Sequence, residues 1–303
     1  MKIKLFKFPI ECRVTGMDLY YFLYDFFFLL KKIKDTVVLI DFSETSWIDP
    51  SVCSILLLII DKVSKKNNLT IKLDGLSAEL EKIFFNNRFL KSEKKIYRKK
   101  TNVIRLGKIQ QKSSDKAKNY LDNELKGLKL DIKNNKAVRE LVRCILEIYK
   151  NAYTHGKSPY VYICGHYFPE TVSLILSISN FGQTFKSNYM QNNYEFSDNV
   201  EAIVFSLKQS NTSRKENETG GLGLKYVFDF INKTNGELSI FSGDGLYVFN
   251  KNKTIFKKTF KSNFPGTMVS MRINLQHEFF SKKQNQVTLI KEISLDNLLE
   301  KNM

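Results

Sequence analysis

Hydrophobic and polar positions follow two patterns along the first third of the chain. Short segments rich in β-branched residues have the pattern of strands, and longer segments between them repeat apolar positions at helical spacing. The strand-like segments are residues 3–8, 36–42 and 69–73, and the helix-like segments are residues 17–33, 50–66 and 76–86. Strands that alternate with helices predict an α/β layer structure for this part of the chain.

A basic stretch at residues 91–112 contains one strand candidate, 102–106, and we interpret it as the connection between two parts of the chain. The elements after it follow a different order. In the second part, helices come first, an antiparallel hairpin follows, and a set of strands closes the chain. The predicted helices are residues 114–128, 136–154 and 200–209; the hairpin comprises 160–168 and 171–179; and the closing strands are 236–243, 247–260 and 266–275. We therefore predict an α/β protein with domains at residues 1–110 and 111–276 and a C-terminal tail at 277–303.

The composition adds that the chain is strongly basic. Its 303 residues carry a net charge of +17, and 43% of them are hydrophobic, so each part can bury a core. A positive net charge favours binding of polyanions such as nucleotides, nucleic acid or acidic partners. It is equally compatible with basic surfaces that contact only solvent. The densest basic run, residues 91–100, is interpreted as a solvated surface or linker. Nucleic-acid binding is therefore an alternative that we do not favour.

The cysteines and histidines predict neither disulfides nor a zinc site. The four cysteines form no C-x-x-C pair, and the three histidines supply no zinc spacing. Free thiols in apolar runs fit a reducing compartment. The N-terminal segment lacks the apolar stretch of a signal peptide, and the most apolar runs are too short to span a bilayer. We therefore expect a cytoplasmic protein without a membrane partner.

Candidate catalytic groups lie on the helix predicted at residues 136–154. Glu147 and Asn151 are four positions apart, so they share one face of that helix. A carboxylate there can accept a proton from an attacking water or hydroxyl, and an amide oxygen can coordinate Mg²⁺. A solvent-facing polar pair is the alternative interpretation of the same spacing.

Polar residues at two strand ends could recognise a ligand. Asn180 follows a buried strand and precedes Gly182, which places an amide where a ligand base could bind. An Asn-x-Gly turn is the alternative interpretation of this pair. Thr267 opens the last strand, where its hydroxyl could contact a base or an ordered water.

A glycine cluster, "TGGLGL", stands directly before a helix-like run. It contains Gly220, Gly221 and Gly223, and it matches neither the P-loop pattern nor the dinucleotide-binding pattern. Backbone N–H groups at the start of a helix form an anion site when glycines leave them accessible. A turn before a helix is the simpler interpretation of the cluster when it is considered alone.

In their order along the chain, these features resemble the motifs of the GHKL ATPase superfamily, which includes histidine kinases, anti-sigma-factor serine kinases and gyrase B. "EIYKNAYTH" resembles the N-box, "NFGQ" the first glycine box, "GGLGL" the second, and "PGTMVSMRI" the closing Gly-Thr strand. The resemblance covers residues 114–276 and implies a two-layer α/β sandwich in which residues 183–219 form the ATP lid.

The resemblance also implies roles for individual residues. Glu147 would be the general base, Asn151 the Mg²⁺ ligand, and Thr267 a support for adenine through water. The main-chain amides that would face the phosphates belong to Gly220, Gly221, Leu222, Gly223 and Leu224. Asn180 and Gly182 would bind the base, and ATP and Mg²⁺ are the implied cofactors.

Asn180 departs from the family pattern, which usually has an Asp that accepts a hydrogen bond from the adenine amino group. An amide oxygen accepts the same bond without the strength of a charged acceptor, a loss of about 1 kcal/mol. An amide can also donate, which would suit a guanine carbonyl, so the choice between ATP and GTP is left open. Thr184 stands where the family has the second glycine of this box.

Residues 36–90 resemble a STAS domain, the fold of anti-sigma-factor antagonists. A buried strand that ends in Asp41, a second acid at Asp49 and a serine at Ser51 match the family pattern. In phospho-regulated members a GHKL kinase modifies that serine, which makes Ser51 a candidate phosphoacceptor. The alternative is an ordinary helix-start residue, although a helix N-terminus would stabilise added phosphate charge.

Together, the two resemblances imply an ATP-binding regulatory protein in which Mg²⁺-dependent ATPase or serine-kinase activity is coupled to a STAS-like module. The alternative is a non-catalytic module that nucleotide binding switches. We expect a protein partner of the anti-sigma or another regulatory type. A homodimer is left open, because no segment has the pattern of a dimer interface.

Overall fold

The computed structural model describes residues 2–90, 102–110, 114–128, 136–208, 223–250 and 253–275. The helices are α1 (Met17–Lys32), α2 (Cys53–Asn67), α3 (Ala78–Asn86), α4 (Ser114–Gly127), α5 (Lys136–Thr154), α6 (Phe185–Met190), α7 (Asn199–Ser206) and α8 (Gly223–Lys233). The strands are β1 (Lys2–Lys7), β2 (Glu11–Cys12), β3 (Thr36–Asp41), β4 (Trp47–Ile48), β5 (Thr70–Asp74), β6 (Val103–Gln110), β7 (Tyr160–Phe168), β8 (Ser173–Phe181), β9 (Glu237–Asn250) and β10 (Lys253–Asn274). These elements confirm the predicted α/β class. No helix in the described ranges is long and apolar enough to cross a bilayer.

The N-terminal unit, residues 2–90, is built on a three-stranded parallel sheet in the order β1-β3-β5. The β-branched run of β3 is mostly buried, and α1 and α2 pack against each other. Pro50 begins a 3-10 turn that leads into α2, where the fixed φ of proline suits a helix start. The Ser77 hydroxyl caps α3 by accepting from the Leu80 amide at 3.3 Å. The three strands and three helices predicted for this unit are therefore present in the structure, which adds the short paired strands β2 and β4.

The rest of the chain is built on a five-stranded antiparallel sheet in the order β6-β7-β8-β10-β9. β6 corrects the interpretation of residues 102–106 as part of a join, because it extends to Gln110 and pairs with β7. The Glu124 carboxylate on α4 accepts from the backbone amide of Arg105 at 2.9 Å, which fixes β6 to this unit. The sheet therefore takes its first strand from before the boundary predicted at residue 110.

The closing strands are longer than the sequence predicts. We expected breaks between residues 243 and 247 and between 260 and 266, but β9 and β10 continue through both positions. The register of β10 against β9 shifts between Thr259 and Thr267, around Pro265. Such irregularities let a strand pass a proline, which cannot donate a ladder hydrogen bond, without ending.

Both faces of the five-stranded sheet are covered. On one face, strand residues such as Ile163 and Ile178 share a core with Leu141 and Ile145 of α5. On the other face, strand residues share a core with the N-terminal unit; they include Cys164, Phe181 and Phe264, packed with Phe27 and Ile55. Because side chains alternate along a strand, β8 contributes to both cores. The N-terminal unit therefore forms a further layer behind the sheet.

Polar contacts join the two units across this interface. Arg272 on β10 forms an ion pair with the buried Asp49 at 3.1 Å, and the hydroxyls of Ser54 and Ser179 are 2.9 Å apart. Ser51 lies in the same interface with 0% exposure, and its hydroxyl has no hydrogen-bond partner among the described residues. In this arrangement Ser51 is inaccessible to a phosphate donor, so its predicted phosphorylation requires the interface to open.

Candidate functional site

A cleft opens between the five-stranded sheet and the helices on the face opposite the N-terminal unit. β8 and β10 form its floor, α5 and α6 its walls, and the first residues of α8 one end. Its empty volume is about 730 Å³, counting the part open to solvent.

Strand pairing places three polar side chains in one row at the floor of the cleft. Asn180 on β8 is paired with Thr267 on β10, which is paired in turn with Ser242 on β9. Asn180 and Thr267 line the cleft, and the Ser242 hydroxyl supports Thr267 from behind at 2.7 Å. Ser242 also accepts from the backbone amide of Phe185 at 3.3 Å, which ties α6 to the sheet. We predicted Asn180 and Thr267 from the sequence and missed Ser242.

α5 presents Asn151 to the cleft. Ile148 and Ala152 line the same wall and secure the helix through its apolar stripe. Glu147 is half-buried one turn before Asn151, and it is not among the described residues that line the cleft. Cys144 lies a further turn back, and burial is the main cause that raises the pKa of its thiol. Its sulfur is therefore protonated and unsuited to act as a nucleophile.

Two glycines allow the backbone to close tightly around Asn180. A Cβ at Gly156 would lie 2.4 Å from the Asn180 Nδ2 atom, and a Cβ at Gly182 would lie 1.9 Å from the Gly156 carbonyl oxygen. The Asn180 amide is only 2% exposed, and its Nδ2 donates to the Phe181 carbonyl at a long 3.5 Å. Packing against Gly156, more than hydrogen bonding, therefore holds the amide in place. Gly182 supports the cleft from outside its lining, and Gly156 was missed in the sequence.

The N-terminus of α8 closes one end of the cleft. Gly223 is the first residue of α8, and both Gly223 and Leu224 line the cleft. The φ of Gly223 is +65°, a conformation that side-chain-bearing residues rarely adopt. A helix N-terminus carries partial positive charge, so this end of the cleft favours an anion. Gly220, Gly221 and Leu222 lie outside the described residues.

The helix α6 was not predicted from the sequence. Its start explains why Thr184 stands where the GHKL pattern has a glycine. Thr184 is the N-cap of α6, and its hydroxyl accepts from the Ser187 amide at 3.3 Å. The Ser187 hydroxyl accepts from the Thr184 amide at 2.8 Å, which completes a capping box. Asn188 and Tyr189 of this short helix line the cleft. The resemblance places these residues in the ATP lid, and the structure shows that this part of the segment builds one wall of the cleft.

Comparison with known proteins found no matching family model and no matching curated protein. Among solved structures, the chain is similar to the ATP-binding domain of topoisomerase IV from Francisella tularensis, solved in complex with a small-molecule inhibitor. The two are 14% identical over 65% of this chain and 85% of that chain, with a TM-score of 0.29.

Changing Gly156 to Ala is expected to lower the free energy of unfolding by about 1–3 kcal/mol, because the added methyl group overpacks a closed site. The added methyl carbon would lie 2.4 Å from the Ala152 carbonyl oxygen and 2.4 Å from the Asn180 Nδ2 atom. Urea denaturation of the full chain measures the change. Gly127→Ala is the matched control, since a Cβ at Gly127 meets no atom within 4 Å. Equal stability of the two variants would contradict the close packing around Asn180.

Proposed function

We propose that the cleft binds ATP and that the protein is a nucleotide-dependent regulator of the GHKL type. One observation carries the proposal: Asn151, Asn180, Gly223 and Thr267 come from distant parts of the chain and line one cleft. Each belongs to one of the four motifs on which the GHKL resemblance rests. If the likeness of these short motifs were accidental, there would be no reason for their residues to lie together in one cleft.

The residues of the cleft fit a nucleotide. The Asn180 amide and the Thr267 hydroxyl lie side by side on the floor, where they can hydrogen-bond a base edge directly or through water. Ile178 and Val269 on the same floor offer apolar contact to its ring. The start of α8 lies at the cleft as well, and its partial positive charge suits phosphates. A base end and a phosphate end are thus both available.

The described residues also fit Mg²⁺ held largely by the nucleotide. Mg²⁺ in phosphoryl-transfer sites keeps several waters and takes few protein ligands besides the phosphates, so a dedicated cluster of acids is not required. The Asn151 amide oxygen would supply one protein ligand from the α5 wall. When bound, Mg²⁺ would neutralise phosphate charge during the reaction.

Glu147 supplies the chemistry in this proposal. Its carboxylate would accept the proton of an attacking water, which gives ATP hydrolysis, or of a serine hydroxyl on a partner, which gives phosphotransfer. Glu147 is half-buried one turn before Asn151, so the two groups lie on the same face of α5.

The STAS-like interpretation of the N-terminal unit remains part of the proposal. This unit packs on the back of the sheet whose front carries the cleft, through the shared core and the Asp49–Arg272 ion pair. A conformational change of the sheet or its helices on nucleotide binding would therefore alter the contacts of the N-terminal unit. We propose that this unit transmits the nucleotide state to a protein partner.

A non-catalytic, nucleotide-switched binding module is the second candidate function. The observation that favours it is the position of Glu147, which is not among the described residues that line the cleft. Turnover separates the two candidates: a protein that binds ATP and shows neither free phosphate nor phosphoprotein with candidate partners present is a binding module.

Asn180 variants test the proposed base site. Asn180→Ala is expected to weaken ATP binding by about 10- to 100-fold, because a buried hydrogen-bonding group contributes roughly 1–3 kcal/mol. Asn180→Asp is expected to raise the preference for ATP over GTP, because a carboxylate accepts from the adenine amino group and repels the guanine carbonyl. Calorimetric titration of each variant with both nucleotides measures these changes. Unchanged affinities in both variants would show that Asn180 does not bind the base.

A further inference from the structure

A second pocket lies between α2, the β6–β7 edge of the sheet and the turn that follows α5. Its empty volume is about 1070 Å³, counting the part open to solvent. Buried side chains of Leu58, Tyr162 and Phe181 contribute to its lining. Four lysines also line it, Lys62, Lys65, Lys108 and Lys157, together with Asp61, the one carboxylate among the described lining residues. We call it the lysine pocket.

One of these lysines is already neutralised. The Lys108 ammonium pairs with Asp61 at 2.7 Å and lies 4.6 Å from the ring centre of Tyr160. The Tyr162 hydroxyl donates to the same Asp61 oxygen at 2.7 Å. Burial acts to raise the pKa of Asp61, but the bonds from Lys108 and Tyr162 hold that pKa below its ordinary value. Asp61 is therefore ionised and committed to Lys108.

The charges of the other three lysines are not balanced in this way. No ion pair joins Lys62, Lys65 or Lys157 to a carboxylate within the part of the chain that the structure describes. Lys62 lies 5.8 Å from the ring centre of Phe181, and Lys157 donates to the neutral Gln191 amide at 2.9 Å. With four lysines and one carboxylate, the described lining carries a net charge of +3 around an apolar base. Lys62, Lys65 and Lys157 are exposed, and the charge of Lys65 also acts on Asp61.

The backbone of Lys157 adopts a conformation that favours glycine. Its φ is +47°, in the left-handed region that glycine adopts freely and other residues adopt at a cost. Lys157 follows Gly156 directly at the end of α5, where a glycine would relieve the strain. Because this backbone accepts glycine without strain, a Lys157→Gly substitution removes the side chain while the turn keeps its conformation.

We propose that the lysine pocket binds a small phosphate-bearing anion. Ammonium groups on flexible stems bind phosphates as point charges, and an anion with several charges would relieve the repulsion among Lys62, Lys65 and Lys157. Inorganic pyrophosphate and a nucleotide share this chemistry. A nucleotide would in addition place its base against the half-exposed ring of Tyr160.

The lysine pocket is separate from the ATP cleft and shares a wall with it. Gly156 and Gln183 line the cleft, whereas the adjoining Lys157 and Gly182 line the lysine pocket. The backbone amide of Gln183 donates to the Gly156 carbonyl at 2.8 Å, and this bond joins residues 156–157 to residues 182–183. The anion proposal does not depend on ATP binding, because it rests on a different set of side chains.

Lysine footprinting of the full chain tests the proposal. The protein is acylated with and without inorganic pyrophosphate, and in a second arm with AMP, and mass spectrometry reads each lysine. We expect selective protection of Lys62, Lys65 and Lys157, and no protection of the exposed Lys72 and Lys82. Protection by AMP at lower concentration than by pyrophosphate would identify a nucleotide as the ligand. Equal protection of all exposed lysines, or none in the pocket, would overturn the proposal.

Two variants make the test independent of folding and of the ATP cleft. Lys62→Gln combined with Lys65→Gln is expected to weaken pyrophosphate binding by about tenfold or more. Lys157→Gly is expected to weaken it as well without lowering the melting temperature, since it removes backbone strain. Asn180→Ala is expected to leave the protection unchanged. Protection that persists in both lysine variants, or that disappears in Asn180→Ala, would contradict the assignment to this pocket.

Discussion

Replacing Glu147 by Gln is expected to slow ATP turnover by about 100- to 10,000-fold and to leave ATP binding intact, because general-base catalysis contributes a factor of this order. The amide has the shape of the carboxylate but cannot accept the proton of the attacking group. Release of γ-phosphate and labelling of protein from γ-labelled ATP measure the two forms of turnover, and calorimetry measures binding.

Glu140→Gln is the matched control for this experiment. Glu140 lies on the same helix seven positions earlier, two turns away from Glu147 and outside the lining of the cleft. It is expected to keep wild-type turnover. A Glu147→Gln variant that turns over ATP at the wild-type rate would remove Glu147 as the base, and a wild type without any turnover would favour the binding module.

Changing Asp49 to Ala is expected to lower the free energy of unfolding by about 2–4 kcal/mol, because buried donors lose a charged acceptor. Arg272 keeps its second ion pair, to Glu237 at 3.0 Å. The Asp49 side chain is 0% exposed. One of its oxygens accepts from Arg272 at 3.1 Å and the other from the Val14 amide at 2.8 Å. The Trp47 indole N–H donates to the same oxygen as Arg272 at 3.3 Å, so the substitution removes the acceptor of three donors at the interface between the two units. Urea denaturation of the full chain measures the loss.

Asp74→Ala is the control for Asp49, because Asp74 is exposed at the end of β5. Exposed positions of this kind usually change stability by less than about 0.5 kcal/mol. The double variant Asp49→Ala with Arg272→Ala should lose less than the sum of the two single losses, since the two residues interact directly. A loss below about 1 kcal/mol in Asp49→Ala would mean that the ion pair does not hold the units together.

The order of helices and strands could be predicted where periodicity is long and turn residues are clear. α1, α5 and the β7–β8 hairpin follow directly from such patterns. β9 and β10 could not be divided correctly, because Gly243 and Pro265 indicate chain breaks in a sequence although strand irregularities absorb them here. The edge position of β6 depends on long-range pairing with β7, which periodicity does not report.

The packing of the N-terminal unit on the sheet also escaped prediction, although a signal for it exists. The nine residues of β8 are all buried, and its central run "LILSIS" contains no charged residue. A strand that is apolar on both sides indicates a sheet that is covered on both faces. We interpreted the same run as one strand of a two-layer sandwich, which would leave one face open to solvent.

Only those residues of the candidate site that lie in a sequence motif could be predicted. Asn151, Asn180 and Thr267 each lie in a recognisable motif, and they meet at the cleft. Gly156 and Ser242 lie in no such motif, and their importance follows from a close backbone approach and from strand register. Both are properties of the folded chain, so a single sequence does not reveal them.

Photo-crosslinking with an azido-adenine analogue of ATP in the presence of Mg²⁺ tests most directly whether the cleft holds the nucleotide. We predict that unlabelled ATP competes for the label and that the crosslinked peptides contain residues of the cleft lining, such as His155 or Tyr189. We also predict that labelling falls in Asn180→Ala. Labelling confined to peptides away from the cleft, or labelling that ATP does not reduce, would contradict nucleotide binding at this site.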